Sequence, residues 1–208
     1  MEIAQFEQSG FIITSNVGET LAVDIGALTP AERLADVTVD AMLVSHIHAD
    51  HCSAEHVTAL APATVYTGAE CAVALHATGL TIEELKAGDT VETNGFTVTP
   101  FEVDHGPNAP QVPAQNFGFL IVVDDTTIYF AGDMYTASGM PVGELDVDIA
   151  MLPVGGHFTF NAEAAHAFAQ QFKSIGTIYP MHYEAVGPID TAGKEKFIAL
   201  AANTFTVA

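Results

Sequence analysis

Four residues able to bind a metal ion stand within six positions: His46, His48, Asp50 and His51, in the run Val44-Ser45-His46-Ile47-His48-Ala49-Asp50-His51. Neutral imidazole and carboxylate suit zinc, manganese or iron. His46 and His48 are two apart, so in extended backbone they point the same way. Asp50 and His51 fall at the turn into the next helix and can serve a second centre. Three further candidates, His105, Asp133 and His182, each follow an apolar stretch. Together they describe a two-metal site assembled from several strand ends, with Asp133 as the natural bridge. Such a site lowers the pKa of a bound water to about 7, so hydroxide is available near neutral pH.

Strands must end where these residues begin. Val39-Asp40-Ala41-Met42-Leu43-Val44 reads as a buried strand running into the first cluster. In layered α/β proteins the strand ends are where chemistry collects. A hairpin is expected over 10–25, and Thr29–Leu34 reads as a short helix with Thr29 as cap and Pro30 in its first position. A helix is expected over Ser53–Leu60, a strand over Thr64–Thr67 and a helix over Ala69–Thr78 closed by Gly79. Strands follow at 90–93 and 96–103, the second entering Asp104-His105-Gly106. Pro107 to Gln115 is a loop with three prolines, suited to a lid or cleft wall. Phe117–Val123 and Thr127–Ala131 form a hairpin around Asp124-Asp125 that leads to Asp133. Asp148–Leu152 is a buried strand ending at His157. Asn161 caps a helix running to Ser174 and stopped by Gly176. A strand over Thr177–Met181 delivers His182, and a helix over 192–202 and a strand over 204–207 close the chain.

The chain echoes itself. Gly10-Phe11-Ile12-Ile13-Thr14 resembles Gly118-Phe119-Leu120-Ile121-Val122, and Val39-Asp40-Ala41-Met42-Leu43 resembles Asp148-Ile149-Ala150-Met151-Leu152. A His-bearing loop follows each member of the second pair. Two related halves would give two sheets packed face to face, with helices outside: an α/β fold of the αβ/βα sandwich type.

The pattern His-x-His-x-Asp-His at 46–51, followed by His105, Asp133 and His182, resembles the metallo-β-lactamase superfamily. The resemblance runs from about residue 10 to the C-terminus. It implies that His46, His48 and His105 bind one ion, that Asp50, His51 and His182 bind another, and that Asp133 bridges. The segments Phe130–Asp133, Leu152–Thr159 and Ile178–Tyr183 are similar to compact metal-dependent hydrolases of the ascorbate-6-phosphate lactonase-like branch. The resemblance implies two divalent ions, zinc first, with manganese or iron as alternatives. It also implies hydrolysis of an ester, lactone, thioester or amide by metal-bound hydroxide, which Asp50 orients. A phosphodiesterase, or a non-hydrolytic iron redox or metal-binding protein on the same fold, is the alternative. His48 stands where a flavodiiron redox site would have Glu.

Other residues carry weaker signals. His157 is expected to face the cleft, as a substrate-orienting group or as the proton donor to the leaving group. Tyr183 could stabilise an oxyanion or pack at the rim. Cys52 and Cys71 read as buried small residues, and His56, His76 and His166 as ordinary helix residues.

At 208 residues and 49% hydrophobic composition the chain suits one globular domain over 1–208. It has 26 acidic residues against five basic ones, a net charge of −21. That opposes nucleic-acid and anionic-membrane partners, whose binding draws on Lys and Arg. It also fits a salt-adapted host. The single arginine argues against a phosphorylated substrate. A small-molecule substrate is expected, in a cytoplasmic protein without a leader or membrane span. A homo-oligomer is left open.

Overall fold

The computed structural model describes residues 1–109 and 111–208. The polypeptide folds into two mixed sheets. The first orders its strands β1 (Glu2–Gln5), β2 (Phe11–Thr14), β3 (Thr20–Val23), β4 (Ala41–Val44), β5 (Thr64–Thr67) and β6 (Ile82–Glu84). The second contains β7 (Val91–Thr93), β8 (Phe96–Glu102), β9 (Phe117–Val123), β10 (Thr126–Phe130), β11 (Asp146–Pro153), β12 (Ser174–Met181) and β13 (Thr206–Val207), in spatial order from β13 to β7. In each sheet an antiparallel hairpin is followed by two parallel strands: β2–β3 with β4 and β5, and β9–β10 with β11 and β12. The internal echo of the sequence therefore has a counterpart in topology.

Period-two alternation explains the layering. Phe11, Ile13, Leu21, Val23, Ala41 and Leu43 face the second sheet, packing with Phe96, Val98, Phe119, Ile121, Ile128 and Phe130. The intervening Ile12, Ala22, Met42 and Val44 face outward against Val57 and Leu60 of α1 (Ala54–Leu60) and Cys71 and Leu75 of α2 (Ala69–Leu75). With both faces covered, β4 reads as an unbroken apolar run and is wholly buried. α3 (Ala162–Ala169) and α4 (Gly193–Ala201) pack on each other and on the outer face of β11 and β12. The result is the αβ/βα sandwich.

Local sequence sets most boundaries. Ser53 caps α1, its side chain accepting from the His56 N–H, and Ala61 ends it in the left-handed region at φ 47°. Asp124 and Asp125, at φ 50° and 60°, make the tight turn between β9 and β10. Four expectations are corrected. The segment after Thr29 is only a 3-10 turn over Ala31–Arg33, and Thr29 makes no cap. α2 gives way to a 3-10 turn over His76–Thr78. α3 ends at Ala169, not Ser174, and Gly176 lies inside β12, whose parallel pairing with β11 begins at Ser174↔Asp146. Pairing with a neighbouring strand has outcompeted helix extension there. The last strand shortens to Thr206–Val207. β1 and β6, edge strands of the first sheet, were not anticipated. The loop expected over Pro107–Gln115 contains Pro110, which lies outside the described residues.

Candidate metal centre

The seven expected ligands meet at the edge where β4, β8, β10 and β12 end. His46, His48, Asp50 and His51 follow β4, His105 follows β8, Asp133 follows β10, and His182 follows β12. His46 Nε2 and His48 Nδ1 approach to 2.9 Å, although the backbone between them is no longer a strand. Asp133 sits at the centre. Its Oδ2 lies 3.1 Å from His182 Nε2, 3.4 Å from His51 Nε2, 3.6 Å from His105 Nε2 and 3.9 Å from His46 Nε2. Asp50 Oδ2 lies 3.5 Å from His51 Nε2 and 3.7 Å from His182 Nε2. Two groups with convergent donor atoms result: His46, His48, His105 and Asp133, and Asp50, His51 and His182.

Three of the buried donor atoms at the centre lack a protein partner. His51 Nε2, His105 Nε2 and Asp133 Oδ1 are buried without a hydrogen bond. Leaving such an atom unsatisfied costs about 1–3 kcal/mol. Gathering three at one point makes sense when a cation satisfies them, so the residues fit a bound metal. The opposite edges of several of the rings are held. His48 Nε2 donates to the Gln111 carbonyl at 2.7 Å, His105 Nδ1 donates to the Gly106 carbonyl at 3.2 Å, and His46 Nδ1 is 2.9 Å from Ser45 Oγ. Fixing one ring nitrogen selects the other as the ligand atom.

Asp24 is the functional residue that the sequence reading missed. It is fully buried and belongs to a third donor group with His46 and His51. Its oxygens are already engaged: Oδ1 accepts from the Ser45 N–H at 2.7 Å, and Oδ2 accepts from Ser45 Oγ at 2.5 Å and His51 Nδ1 at 2.8 Å. It therefore supports His51 from behind. A signal was present, since Asp24 ends the return strand of the first hairpin much as Asp133 follows that of the second.

The charges are strongly coupled. Burial acts against the imidazolium of His51, yet Asp133, Asp50 and Asp24 together hold its pKa well above the usual value. For Asp133, burial acts against the carboxylate, but His182 and His51 outweigh it and hold the pKa well below the usual range. Asp50 is lowered likewise, with His51 overcoming burial. For His46, burial dominates and lowers the pKa, with the charge of His51 adding to it. The centre is built to hold negative carboxylates and positive charge together.

Close backbone approaches fix the geometry. A Cβ on Gly26 would sit 2.2 Å from the Asp50 carbonyl carbon, and one on Gly155 would sit 2.0 Å from the His182 carbonyl oxygen. Glycine at each position lets two ligand loops touch. Gln8 ties the far ends of the chain: its carbonyl accepts from the His182 N–H at 3.0 Å, and its own N–H donates to Glu184 Oε2 at 3.0 Å. Gln8, Asp24 and His182 all lie in the left-handed region, at φ 54°, 48° and 58°. Strain of this kind is held only where the surroundings over-determine it, and it collects at functional sites.

His157 is not brought into the cluster. Gly156 and His157 are both left-handed, at φ 66° and 57°, and the turn leaves the imidazole exposed. Phe158, the next residue, lines the cavity instead. Tyr183 packs against the core with Lys194 over its ring at 5.6 Å. Cys52 and Cys71 are both buried. His56 is held by Ser53 Oγ and the Thr29 carbonyl, His76 is exposed and His166 half-buried.

A family model described as a β-lactamase superfamily domain matches residues 2–182. A UPF0173 metal-dependent hydrolase from Pyrococcus abyssi is 35% identical over 181 residues, covering 79% of this chain and 75% of that protein. Among solved structures, a metallo hydrolase from Ignicoccus hospitalis superposes with a TM-score of 0.77 at 23% identity, over 99% of this chain and 93% of that one. A diiron β-hydroxylase from Streptomyces venezuelae shares the fold at a TM-score of 0.74 and 15% identity, over 99% of this chain and 52% of that one. No helix among the described residues is long and apolar enough to cross a membrane. The chain belongs to the metallo-β-lactamase superfamily, among its metal-dependent hydrolases.

Proposed function

We propose that this chain is a dinuclear hydrolase acting on an ester, lactone, thioester or amide bond of a small molecule. The observation that carries the reading is Asp133 Oδ2, within 3.9 Å of imidazole nitrogens from both donor groups. His46, His48 and His105 would hold one ion, Asp50, His51 and His182 the other, with Asp133 between them. Zinc is the first choice, with manganese or iron as alternatives. Ions bound here would supply Lewis acidity and make water acidic enough to ionise near neutral pH.

The protein's own groups do the rest. Asp24 keeps the Nδ1 proton of His51 on the outer edge, leaving Nε2 to face the centre. Asp50 lines the cavity and would orient the attacking water through its carboxylate. The water oxygen bonds to the carbonyl carbon, the carbon–heteroatom bond breaks, and a water proton ends on the leaving group. Solvent supplies the route for that proton, since the exposed His157 lies outside the cavity lining. The acidic surface supports a small-molecule substrate over nucleic acid and suits a cytoplasmic setting.

The test is hydrolysis of lactones, thioesters, simple esters and phosphodiesters by zinc- and manganese-loaded protein, beside Asp133→Ala. Turnover of carbonyl substrates, lost with metal content in the variant, is the expected result. Full activity and metal content in Asp133→Ala would overturn the reading. The fold also carries a diiron β-hydroxylase. Tightly held iron in the purified protein, without hydrolysis, would favour redox chemistry.

A further inference from the structure

The cavity over the ligands has a volume of about 340 Å³. That is at the small end for ligand sites, which run from about 300 to 1,000 Å³. At one end it is closed by His48, Asp50, His105, Asp133 and His182. Among the described residues the remaining wall is apolar, formed by Ala27, Leu28, Ala49, Ala109, Phe158, Val186 and Ile189, with Gln8 the only other polar residue. None of the chain's five cations lines it. Arg33 is engaged with Glu7 and lies over the Phe6 ring, Lys173 pairs with Asp146, and Lys196 pairs with Asp190. A carboxylate or phosphate on the far part of a substrate would meet apolar side chains, no counter-charge, and a protein of net charge −21. Burying an unpaired charge against such a wall is strongly unfavourable. An alkyl or aryl group would instead lose its contact with water there.

Resting on the hydrolase reading above, we infer that the substrate is small and uncharged, with a short apolar acyl group seated between Leu28, Phe158, Val186 and Ile189. The wall, and not a charged anchor, sets specificity. This separates the site from one built for phosphorylated sugars or dicarboxylates.

The experiment compares acetyl, propionyl, butyryl and succinyl esters of one alcohol with the metal-loaded protein. In parallel, the methyl resonances of Leu28, Val186 and Ile189 are followed while neutral butyramide or anionic succinamate is titrated in. We expect kcat/KM to rise roughly fourfold per added methylene. The succinyl ester should fall at least tenfold below butyryl, and only butyramide should shift the methyl resonances. Val186→Lys, at a half-exposed position that tolerates a longer side chain, should narrow the butyryl–succinyl gap. Ester turnover that ignores chain length, or that favours succinyl, overturns the inference and leaves the hydrolase reading intact. No turnover with a butyramide-specific shift keeps the apolar wall and overturns the ester reading. Neither turnover nor shift overturns both.

Discussion

Asp24 separates holding a ligand from being one. Asp24→Asn keeps the shape of the side chain but removes the charge behind His51 Nδ1. Partners of this kind typically contribute 10–100-fold in metal affinity. We expect Asp24→Asn to fold and to bind its metal roughly 10–100-fold more weakly, measured by competition with a chromogenic chelator. Unchanged affinity would mean that His51 needs no such support. The seven expected residues stood out in the sequence because each is a His or Asp in a loop that follows an apolar strand. Asp24 occupies the same kind of position but is the lone acid of a hairpin end, with no neighbouring ligand to draw notice. Gln8 had no signal at all, because its role is made by a backbone turn and by partners more than 170 residues away. His157 had the same strand context, but it lies in a left-handed turn and is exposed.

Among the elements, the loops matter as much as the strands. Gly26 presses on the Asp50 carbonyl, and Ala27 N–H donates to the Ala49 carbonyl at 2.8 Å, so the turn after β3 sets the turn after β4. A methyl at Gly26 has backbone, not a flexible side chain, in its way. Gly26→Ala should therefore destabilise the fold by about 1–3 kcal/mol and weaken the Asp50 metal group more than the His46 group. Denaturant melts and stepwise metal titration check both. The central strands were readable because β4 and residues 149–153 of β11 are continuous apolar runs. The edges were not: β1 is Glu-Ile-Ala-Gln and β6 is Ile-Glu-Glu, segments whose strand state comes from pairing and not from composition. α3 shows the same competition, since the sequence beyond Ala169 carries helical spacing but turns over 170–173 and enters β12 at Ser174.

Taken whole, the molecule combines an acidic surface with an acidic, histidine-rich centre. A cation that binds the folded state alone stabilises it, by about 4 kcal/mol at a thousandfold excess over Kd. In a chain of this length that is roughly 8–16 °C in Tm. Chelation should lower Tm by that order, and acid should ease metal release because the imidazoles must be deprotonated to bind. Scanning calorimetry with and without chelator tests both. Salt should act the other way from its usual effect on ion pairs. The three exposed pairs among the described residues, Arg33–Glu7, Lys173–Asp146 and Lys196–Asp190, are screened by solvent and contribute little. Repulsion within a net charge of −21 is spread over the whole surface and is screened as the Debye length falls from about 30 Å at 0.01 M to 3 Å at 1 M. The repulsion outweighs the pairs, so Tm should rise with sodium chloride. A fall would assign more stability to those three pairs than exposed pairs usually have.

The tie between Gln8 and His182 has a consequence for synthesis. A ribosome delivers the ligands in the order 46, 48, 50, 51, 105, 133 and 182. The first donor group is complete once Asp133 has emerged, while the second sheet still lacks β11, β12 and β13. The second has Asp50 and His51 early, but must wait for His182 and for the strand that brings it back to Gln8. The first donor group is therefore synthesised well before the second, whose geometry depends on His182 reaching Gln8.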